Sequence, residues 1–587
     1  MKTAKEKNRY ADIVIAVIAT LLLVIIASVA YDHYYEFNDD VLMKDILSGT
    51  YTGTPSALNV QMLSPIGFFI SFLYRLAPGI PWYALFLCGC QYLCILIITY
   101  RIVHLTPDLS GGIAAGAIVF LFAMCSLLPH LTMVQYTVTV AIIAATAALY
   151  LYTIPVDVTG RRFVVKALPA IVMVILAFQI RTEMLLLLAP FLAICGLARW
   201  SREKHPFDHS TVRGFLGVII LIVVGMAASF FINSVSYSSG EWKVFLMEFD
   251  NRTELYDYQY VPPYDEQSGF YESIDMTASQ VKLLENYDYA LDDRIDGERI
   301  GQVAFFASQL RHESVRDRLH EAFREYIYRV THFKGGAYSL LVLFLYVMLV
   351  ISVLSSRERS TGRKIMIMLL RVGGLLIMRS ISWMYIIYGR RLPDRIVHPL
   401  YIIECVMLFA MISAEFSGRI KDGRYLRMTT GIVLIVGGLI VLPGSVAKLN
   451  SRMAVQKDVN ALGDAIDAYC REHPDNFYFE DVYSTIIDGE TFNERMFADN
   501  EPYVKNYDLI GGWISNSPLF REKLAGWGIT DVSDAILEND NVFIICSDEY
   551  DMDWVSDHYA DTGTAVKIEL IDGIAGHFGV YSVRRAY

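Results

Sequence analysis

Two adjacent carboxylates, Asp39 and Asp40, follow the first long apolar run of the chain, which covers about residues 11–31. An acidic pair so close to hydrocarbon is costly unless it is solvated or has a function. A positioned carboxylate can accept a proton in general acid–base catalysis. The structural alternative is that Asn38 or Asp39 caps a helix predicted over 40–48 by accepting its backbone N–H bonds. These few residues alone leave both interpretations open.

Three arginines stand together between two later apolar runs, at Arg390, Arg391 and Arg395. By the charge pattern described below, this loop lies on the outer side of the membrane, where basic residues are unexpected. A guanidinium suits bidentate phosphate binding better than an ammonium does. The arginines therefore predict a phosphate-binding site, with an anchor for lipid headgroups as the alternative.

Further candidate residues lie within or beside the apolar runs. Arg379 lies deep in the run 365–388, where an unpaired charge is expensive, so we expect it to face a cavity or a partner. Arg181 and Glu183 stand at the tip of a tight hairpin, where they either hold the turn or contact a substrate. Tyrosines of the loop 235–335 could contact a sugar or form an aromatic belt at the headgroups. The remaining candidates for substrate contact are His398, Tyr401, Tyr256 and Tyr258.

The composition indicates a membrane protein. Of 587 residues, 54% are hydrophobic and 19% are charged, whereas soluble domains are about 45–50% apolar and about 25% charged. A disordered chain and a disulfide scaffold are excluded, and the net charge of −12 argues against a nucleic-acid partner. Unbroken apolar runs of about 20 residues predict helices rather than a β-barrel. There are roughly eleven, at about 11–31, 81–103, 112–129, 131–152, 164–180, 183–198, 213–234, 336–355, 365–388, 396–415 and 428–447.

Lysines and arginines recur at the N-terminus and at every second connection, which predicts a cytoplasmic N-terminus and suits eleven spans. The short run 62–77 would break this parity, so we expect a helix that lies at the outer interface. Residues 1–449 are thus predicted to form the transmembrane domain, and 450–587 a small α/β domain outside the cytoplasm. The segments expected to face outward are 32–80, 235–335 and the tail. Within the tail, we expect a helix over 452–472 and strands over 542–546, 565–570 and 576–583.

The first hundred residues resemble the GT-C class of integral-membrane glycosyltransferases, which includes oligosaccharyltransferases, protein mannosyltransferases and aminoarabinose transferases. Members carry an acidic pair just beyond the first helix, a surface helix that ends in Ser-Gly, and a second interfacial helix before the next span. The corresponding features here are Asp39-Asp40, Ser48-Gly49 and the run 62–77. The rest of the chain is similar in layout only. Many members have Asp-Glu and a longer distance to Ser-Gly, so the resemblance leaves the sugar open.

The resemblance implies an inverting enzyme of the cell membrane that takes a sugar from a polyprenyl phosphate. The acceptor would be a glycan, lipid or protein of the cell envelope, and the transfer would occur at the outer face. Asp39 matches the first acidic position and would be the base, with Asp40 as the fallback. A divalent metal held by Asp40 and acidic residues of 235–335 stays open, and no cofactor is predicted with certainty. The residues expected to bind the donor phosphate are Arg390, Arg391, Arg395 and Arg379.

Three rivals remain at this stage. An envelope-polysaccharide polymerase or ligase also has about a dozen spans and arginine-bearing outer loops, but it would not need the acidic pair. A carrier or flippase of lipid-linked sugars would carry polar residues through the middle of the bundle, which is mostly apolar here. A sensor would bind its ligand with the tail. In that tail, Cys470 and Cys546 could pair in an oxidising compartment, which the sequence does not decide.

Overall fold

The computed structural model describes residues 9–156, 158–311, 314–356, 360–417, 424–487, 490–497 and 503–586. Most of these residues are helical. In chain order the helices are α1 (Arg9–Ala30), α2 (Asn38–Ser48), α3 (Ser64–Leu76), α4 (Trp82–His104), α5 (Leu109–Thr132), α6 (Tyr136–Tyr152), α7 (Gly160–Ile180), α8 (Thr182–Trp200), α9 (His209–Ser236), α10 (Gly240–Thr253), α11 (Tyr264–Ser273), α12 (Ala278–Asn286), α13 (Gly297–Leu310), α14 (Val315–Thr331), α15 (Ala337–Leu354), α16 (Thr361–Tyr388), α17 (Asp394–Ser417), α18 (Arg424–Glu472), α19 (Pro518–Gly526), α20 (Val532–Glu538) and α21 (Asp553–Asp561).

Ten of these helices, within the described ranges, are long and apolar enough to cross a membrane: α1, α4, α5, α7, α8, α9, α15, α16, α17 and α18. The predicted helical polytopic membrane protein is therefore confirmed. The sequence predicted about eleven spans, one more than the structure shows among these residues. The additional predicted span, 131–152, corresponds to α6, which is shorter than the ten candidate spans. This helix has 17 residues, and all of them except Tyr150 and Leu151 are buried. It packs against α4, α7, α8 and α17, so it forms the centre of the bundle.

The segment between α1 and α4 contains the two short helices that the sequence predicts. α2 starts two residues before its predicted range of 40–48 and ends at Gly49, whose φ of 88° is left-handed. A Cβ on this glycine would lie 2.7 Å from the backbone nitrogen of Pro55, so the turn requires glycine. α3 has 13 residues, too few for a span. It buries one face and exposes Phe68, Phe69 and Phe72 on the other.

Nine strands, within the described ranges, accompany the helices. β1 (Tyr34–Tyr35) pairs in parallel with β2 (Met133–Val134). The tail contains β3 (Phe477–Glu480), β4 (Ile486–Ile487), β5 (Glu490–Thr491), β6 (Tyr507–Leu509), β7 (Val542–Ser547), β8 (Val566–Ile574) and β9 (Phe578–Arg585). Five of them form one sheet in the order β6-β3-β7-β9-β8, parallel at β6-β3-β7 and antiparallel at β7-β9-β8. The predicted C-terminal domain with a small sheet is confirmed, and its three predicted strands correspond to β7, β8 and β9.

The segment 240–310 shares a hydrophobic core with the tail. Its helices contribute residues to a cluster that also contains residues of the tail strands and of α19. Examples are Leu255, Tyr271, Leu283 and Ile300 from the segment 240–310, and Phe477, Phe520 and Val542 from the tail. The last span and the predicted helix 452–472 are one continuous helix of 49 residues, α18. The predicted boundary at 449/450 lies inside it.

Two ion pairs join α16 to α17 inside the bundle. Arg379 of α16 donates to Glu404 of α17, which also accepts a bond of 2.7 Å from the Tyr346 hydroxyl. Arg371 lies 2.5 Å from Glu415 on the same two helices. The Arg379 and Glu404 residues are both buried. Since an isolated charge is very unfavourable in such surroundings, each pair neutralises two groups that could not be buried singly.

We expect Glu404→Ala to lower the free energy of unfolding by about 3–5 kcal/mol, because Arg379 stays buried without its carboxylate. The measurement is chemical unfolding of the full chain in detergent micelles. The control is the double variant Arg379→Met/Glu404→Leu, which removes both charges and should recover most of the loss. Equal stability of Glu404→Ala and the parent chain would show that the pair is not needed.

Candidate functional site

The segment before α2 is held on both sides by backbone hydrogen bonds. The Glu36 N–H donates to the Val134 carbonyl at 2.9 Å, on the bundle side. The Tyr35 N–H donates to the Glu494 carbonyl at 3.0 Å, on the tail side. The Glu36 side chain is buried and lies 2.9 Å from Arg452 of α18. Burial raises the pKa of Glu36 although Arg452 opposes this. The start of α2 is therefore fixed between the two halves of the molecule.

The two adjacent acids at the start of α2 have different surroundings. Phe37 precedes the helix in an extended conformation without a capping side-chain bond, so neither Asn38 nor Asp39 occupies the N-cap position. Asp40 is fully buried; it accepts bonds from the Tyr83 hydroxyl at 2.9 Å and from the Tyr136 N–H at 3.2 Å. Burial raises the pKa of Asp40 well above its ordinary range. Asp40 does not line the cavity described next.

Asp39 lines a cavity of about 1460 Å³ between the bundle and the tail. Its carboxylate is 21% exposed, and its Oδ2 lies 3.8 Å from Nη1 of Arg395. Arg395 stands in the first turn of α17, and its guanidinium lies 4.6 Å from the centre of the Phe37 ring. The structure thus brings together an acid and a cation that are more than 350 positions apart in the chain.

Two further predicted arginines line the same cavity, together with Glu183 and Tyr258. Arg391 lies 3.0 Å from Asp257 and 3.4 Å from the Tyr258 hydroxyl. Arg181 is the single residue between α7 and α8, as the predicted tight hairpin requires. It donates to Gln61, and its Nε lies 2.9 Å from Glu183. Charged groups from several separate elements therefore line the same cavity as Asp39.

The other predicted residues lie outside this cavity. Arg390, in a left-handed conformation with φ of 55°, lies 3.1 Å from Glu321 of α14. Arg379 is paired inside the bundle, as described above. The phosphate-binding prediction for these two arginines therefore has no support from their position, in contrast to Arg391 and Arg395.

His398, Tyr401 and Tyr256 are engaged with neighbouring side chains or carbonyls. Nδ1 of His398 lies 2.9 Å from Nε2 of His130. Tyr401 is buried, and its hydroxyl lies 3.0 Å from that of Ser339. The Tyr256 hydroxyl donates to the carbonyl of Leu284 at 2.7 Å. These three residues do not line the cavity, so the structure does not place them with Asp39.

The tail side of the cavity contains a cluster of charges that the sequence did not reveal. Nζ of Lys505 lies 2.7 Å from Asp45 of α2 and 3.5 Å from Glu494. Lys44 reaches the same two acids, at 2.7 Å and 2.5 Å. Burial opposes the ionisation of Asp45, but Lys44 and Lys505 outweigh it and lower its pKa. This cluster joins α2 to the tail and forms one wall of the cavity.

Glu480, at the end of β3, is a buried acid that lines the same wall. Burial is the largest effect and raises its pKa from 4.5 to about 7, with Asp508 adding to the rise while Lys505 and Lys523 oppose it. Asp464 and the hydrogen-bonded Asp467 line the cavity nearby. No sequence signal identified these positions, because they converge only through the fold.

The sequence left open a divalent metal site and a disulfide between Cys470 and Cys546, and the structure bears on both. In the part of the chain that the structure describes, no group of three or more His, Cys, Asp and Glu side chains is arranged to hold a metal ion. The divalent metal left open by the sequence thus lacks a set of ligands among these residues, and no step is derived from it. Cys470 and Cys546 are both buried free thiols.

We expect Glu480 to lower the free energy of unfolding by up to about 3 kcal/mol as pH rises from about 4.5 to about 7, because folded Glu480 holds its proton more tightly than the unfolded chain does. In Glu480→Gln this component of the pH dependence should disappear. The measurement is chemical unfolding across that range in detergent. Glu549→Gln, at an exposed position, is the control and should keep the parent slope. A parent slope in Glu480→Gln would contradict the assignment.

No family model matches the chain, and neither a curated protein nor a solved structure matches it. The resemblance of the first hundred residues to GT-C glycosyltransferases therefore stays a prediction from their motifs. The features that bear on function are those of the cavity: Asp39, the arginines opposite it, and the charged wall that the tail supplies.

Proposed function

We propose that this protein is a membrane glycosyltransferase that moves a sugar from a polyprenyl phosphate to an acceptor of the cell envelope. The reaction would occur at the outer face of the cell membrane, with the N-terminus in the cytoplasm. The observation that carries the proposal is the common cavity of Asp39, Arg391 and Arg395. It combines a proton acceptor with cations suited to a phosphate.

The proposed step is a single displacement at the anomeric carbon of the sugar. The acceptor hydroxyl oxygen forms the new bond to this carbon, and its proton goes to the Asp39 carboxylate. The bond between the carbon and the phosphate oxygen breaks, and the lipid phosphate leaves with the electron pair. Arg391 and Arg395 would stabilise the charge that develops on this leaving group.

The charges inside the bundle favour this proposal over a carrier of lipid-linked sugars. A carrier needs polar groups along a route through the midplane. Here Arg379 pairs with Glu404 and Arg371 with Glu415, and none of the four lines the cavity. Their mutual pairing accounts for their presence in the spans without a transported substrate.

We expect Asp39→Asn to lower the transfer rate by about 10²–10⁴-fold, because the amide cannot accept the proton of the acceptor hydroxyl. The assay uses the full chain in proteoliposomes and a panel of polyisoprenyl phosphates that carry labelled hexoses or pentoses, with envelope extract as the acceptor.

Asp265→Asn serves as the matched control, because Asp265 is exposed and does not line the cavity. Both variants should unfold at the temperature of the parent chain. A parent transfer rate in Asp39→Asn would exclude this residue as the base. Loss of transfer only in the Asp39/Asp40 double variant would move the role to Asp40.

We expect Arg395→Gln and Arg391→Gln each to raise the KM for the lipid donor by about tenfold or more, since a hydrogen bond to a charged group contributes about 1.5–3 kcal/mol. Arg390→Gln, in the same connection, should change this KM far less, because Arg390 faces Glu321 instead of the cavity. Equal effects at all three positions would indicate a general attraction of the loop for anionic lipid.

A further inference from the structure

α14 carries an apolar stripe that the rest of the described structure leaves exposed. The stripe consists of Val315, Leu319, Phe323, Ile327 and Val330, which recur every three or four positions and therefore lie on one face of the helix. Phe323, in the middle of the stripe, is 54% exposed. α14 has only 17 residues, and seven of them are aspartate, glutamate or arginine. It is therefore too short and too polar to cross a membrane.

Two hydrogen bonds hold α14 beside the end of α16. The Arg318 Nε donates to the Tyr388 carbonyl at 2.9 Å, and the hydroxyls of Tyr326 and Ser380 lie 3.0 Å apart. Between these two contacts α14 advances by eight residues while α16 goes back by eight, so the helices run antiparallel over about 12 Å. α16 has 28 residues, which extend about 42 Å, so its end reaches the boundary of a hydrocarbon core about 30 Å thick. α14 therefore lies at the level of that boundary.

The stripe of α14 continues an exposed apolar surface of α16. Ile377, Ile381 and Tyr385 are all exposed near this end of α16, Ile381 by 52% and Tyr385 by 70%. Because α16 is a candidate span, we expect these residues to contact lipid, and an exposed tyrosine is typical of the membrane–water interface. Val315 and Leu319 of the stripe lie beside Ile381 and Tyr385. The surface suited to lipid thus extends from α16 onto α14.

Two exposed arginines border the stripe. Arg316 and Arg324 each follow a residue of the stripe by one position. Among the residues that the structure describes, neither of them forms an ion pair. Two acids of the helix already have partners, since Glu321 pairs with an arginine of the connection before α17 and Glu325 lies 2.7 Å from Arg329. The guanidinium groups of Arg316 and Arg324 are therefore available to phosphate groups at a membrane surface.

We propose that α14 lies in the membrane surface beside α16, with its apolar stripe among the lipid acyl chains and with Arg316 and Arg324 at the level of the lipid phosphates. A helix of this kind buries its apolar face about 5–10 Å into the boundary between headgroups and acyl chains. The bulk bilayer is the occupant of the stripe, because the stripe adjoins the exposed apolar surface of a candidate span. A water-soluble partner would have to displace that lipid to cover it.

This position gives the segment 240–310 an attachment to the membrane at each end. α9, a candidate span, ends at Ser236 just before the segment, and α14 begins at Val315 just after it. Arg318 of α14 also lines the cavity, so the second attachment lies at the edge of the cavity. The inference goes beyond the proposed function, because it is independent of the reaction that the cavity performs.

The test measures the access of two reagents to nitroxide spin labels on introduced cysteines: oxygen, which concentrates in hydrocarbon, and a nickel chelate, which stays in water. The full chain is placed in liposomes of phosphatidylcholine and phosphatidylglycerol. Labels at Phe323→Cys and Ile327→Cys report on the stripe, and a label at Arg324→Cys reports on the polar side. Ile381→Cys is the reference for lipid contact, and Asp265→Cys, at an exposed position of α11, is the reference for water. The parent chain gives the background from its 8 native cysteines.

We expect the ratio of oxygen access to chelate access at Phe323→Cys and Ile327→Cys to approach the ratio at Ile381→Cys. It should exceed the ratio at Arg324→Cys several-fold, because the stripe lies below the level of the phosphates. Ratios at both stripe positions equal to that at Asp265→Cys would overturn the proposal, since the stripe would then face water. Low access of both reagents to an immobilised label would also overturn it, because a protein partner or a second copy of the chain would then cover the stripe.

The place of the two arginines is tested with Arg316→Glu/Arg324→Glu, measured through the label at Phe323→Cys. Lipid phosphates repel the introduced carboxylates, so we expect the ratio to fall towards that of the water reference. Arg584→Glu/Arg585→Glu, at two exposed positions of β9, is the control with the same change of charge and should leave the ratio unchanged. An unchanged ratio in Arg316→Glu/Arg324→Glu would overturn the assignment of these arginines to the lipid phosphates.

Discussion

A carboxylate buried beside hydrocarbon is costly unless a cation or hydrogen bonds satisfy it, and in this protein that constraint determines where the candidate site forms. Glu36 finds its partner in Arg452, on the helix that joins the last span to the tail. The same segment is hydrogen-bonded to β2 on one side and to residues 494–496 on the other. Three distant parts of the chain thus meet immediately before α2. The position of Asp39 at the start of this helix depends on all three.

The residues that line the cavity likewise come from distant parts of the chain. Asp39 comes from α2, Arg181 from a hairpin between two candidate spans, Arg391 from the connection before α17, and Arg395 from the first turn of α17. The tail adds Lys505 and Glu480 to the opposite wall. Cationic groups lie on both sides, but most of them also contact an acid, so little of the positive charge of the cavity is uncompensated.

Much of the architecture could be predicted from the sequence because hydrocarbon thickness imposes a minimum length on apolar runs. The end of α2 at Ser48-Gly49 could also be predicted from the sequence, since a left-handed turn favours glycine. The sequence does not show which acid faces the cavity. Asp39 and Asp40 are neighbours on a helix, and only the position of Tyr83 and the N–H of Tyr136 direct Asp40 inward.

Contacts with distant parts of the chain also explain the other differences between the sequence predictions and the structure. Arg390 and Arg391 are adjacent, yet a left-handed backbone at Arg390 directs them to different partners. β3 and β6 are short, and their pairing depends on residues far away in the chain. Arg318 and Glu480 carry no local motif, since what distinguishes them is the space into which their side chains point.

The continuous helix α18 has a mechanical consequence. At about 1.5 Å per residue, its 49 residues extend about 74 Å, more than twice the thickness of a bilayer core. The tail thus continues from the last candidate span without an intervening loop, and the length of α18 contributes to the position of the tail relative to the bundle. One residue inserted between Pro443 and Arg452 would rotate the following part of the helix by about 100° and shift it by about 1.5 Å, against the contacts of the tail with α2 and with the segment 240–310. The shape of the cavity therefore depends on the number of residues in α18.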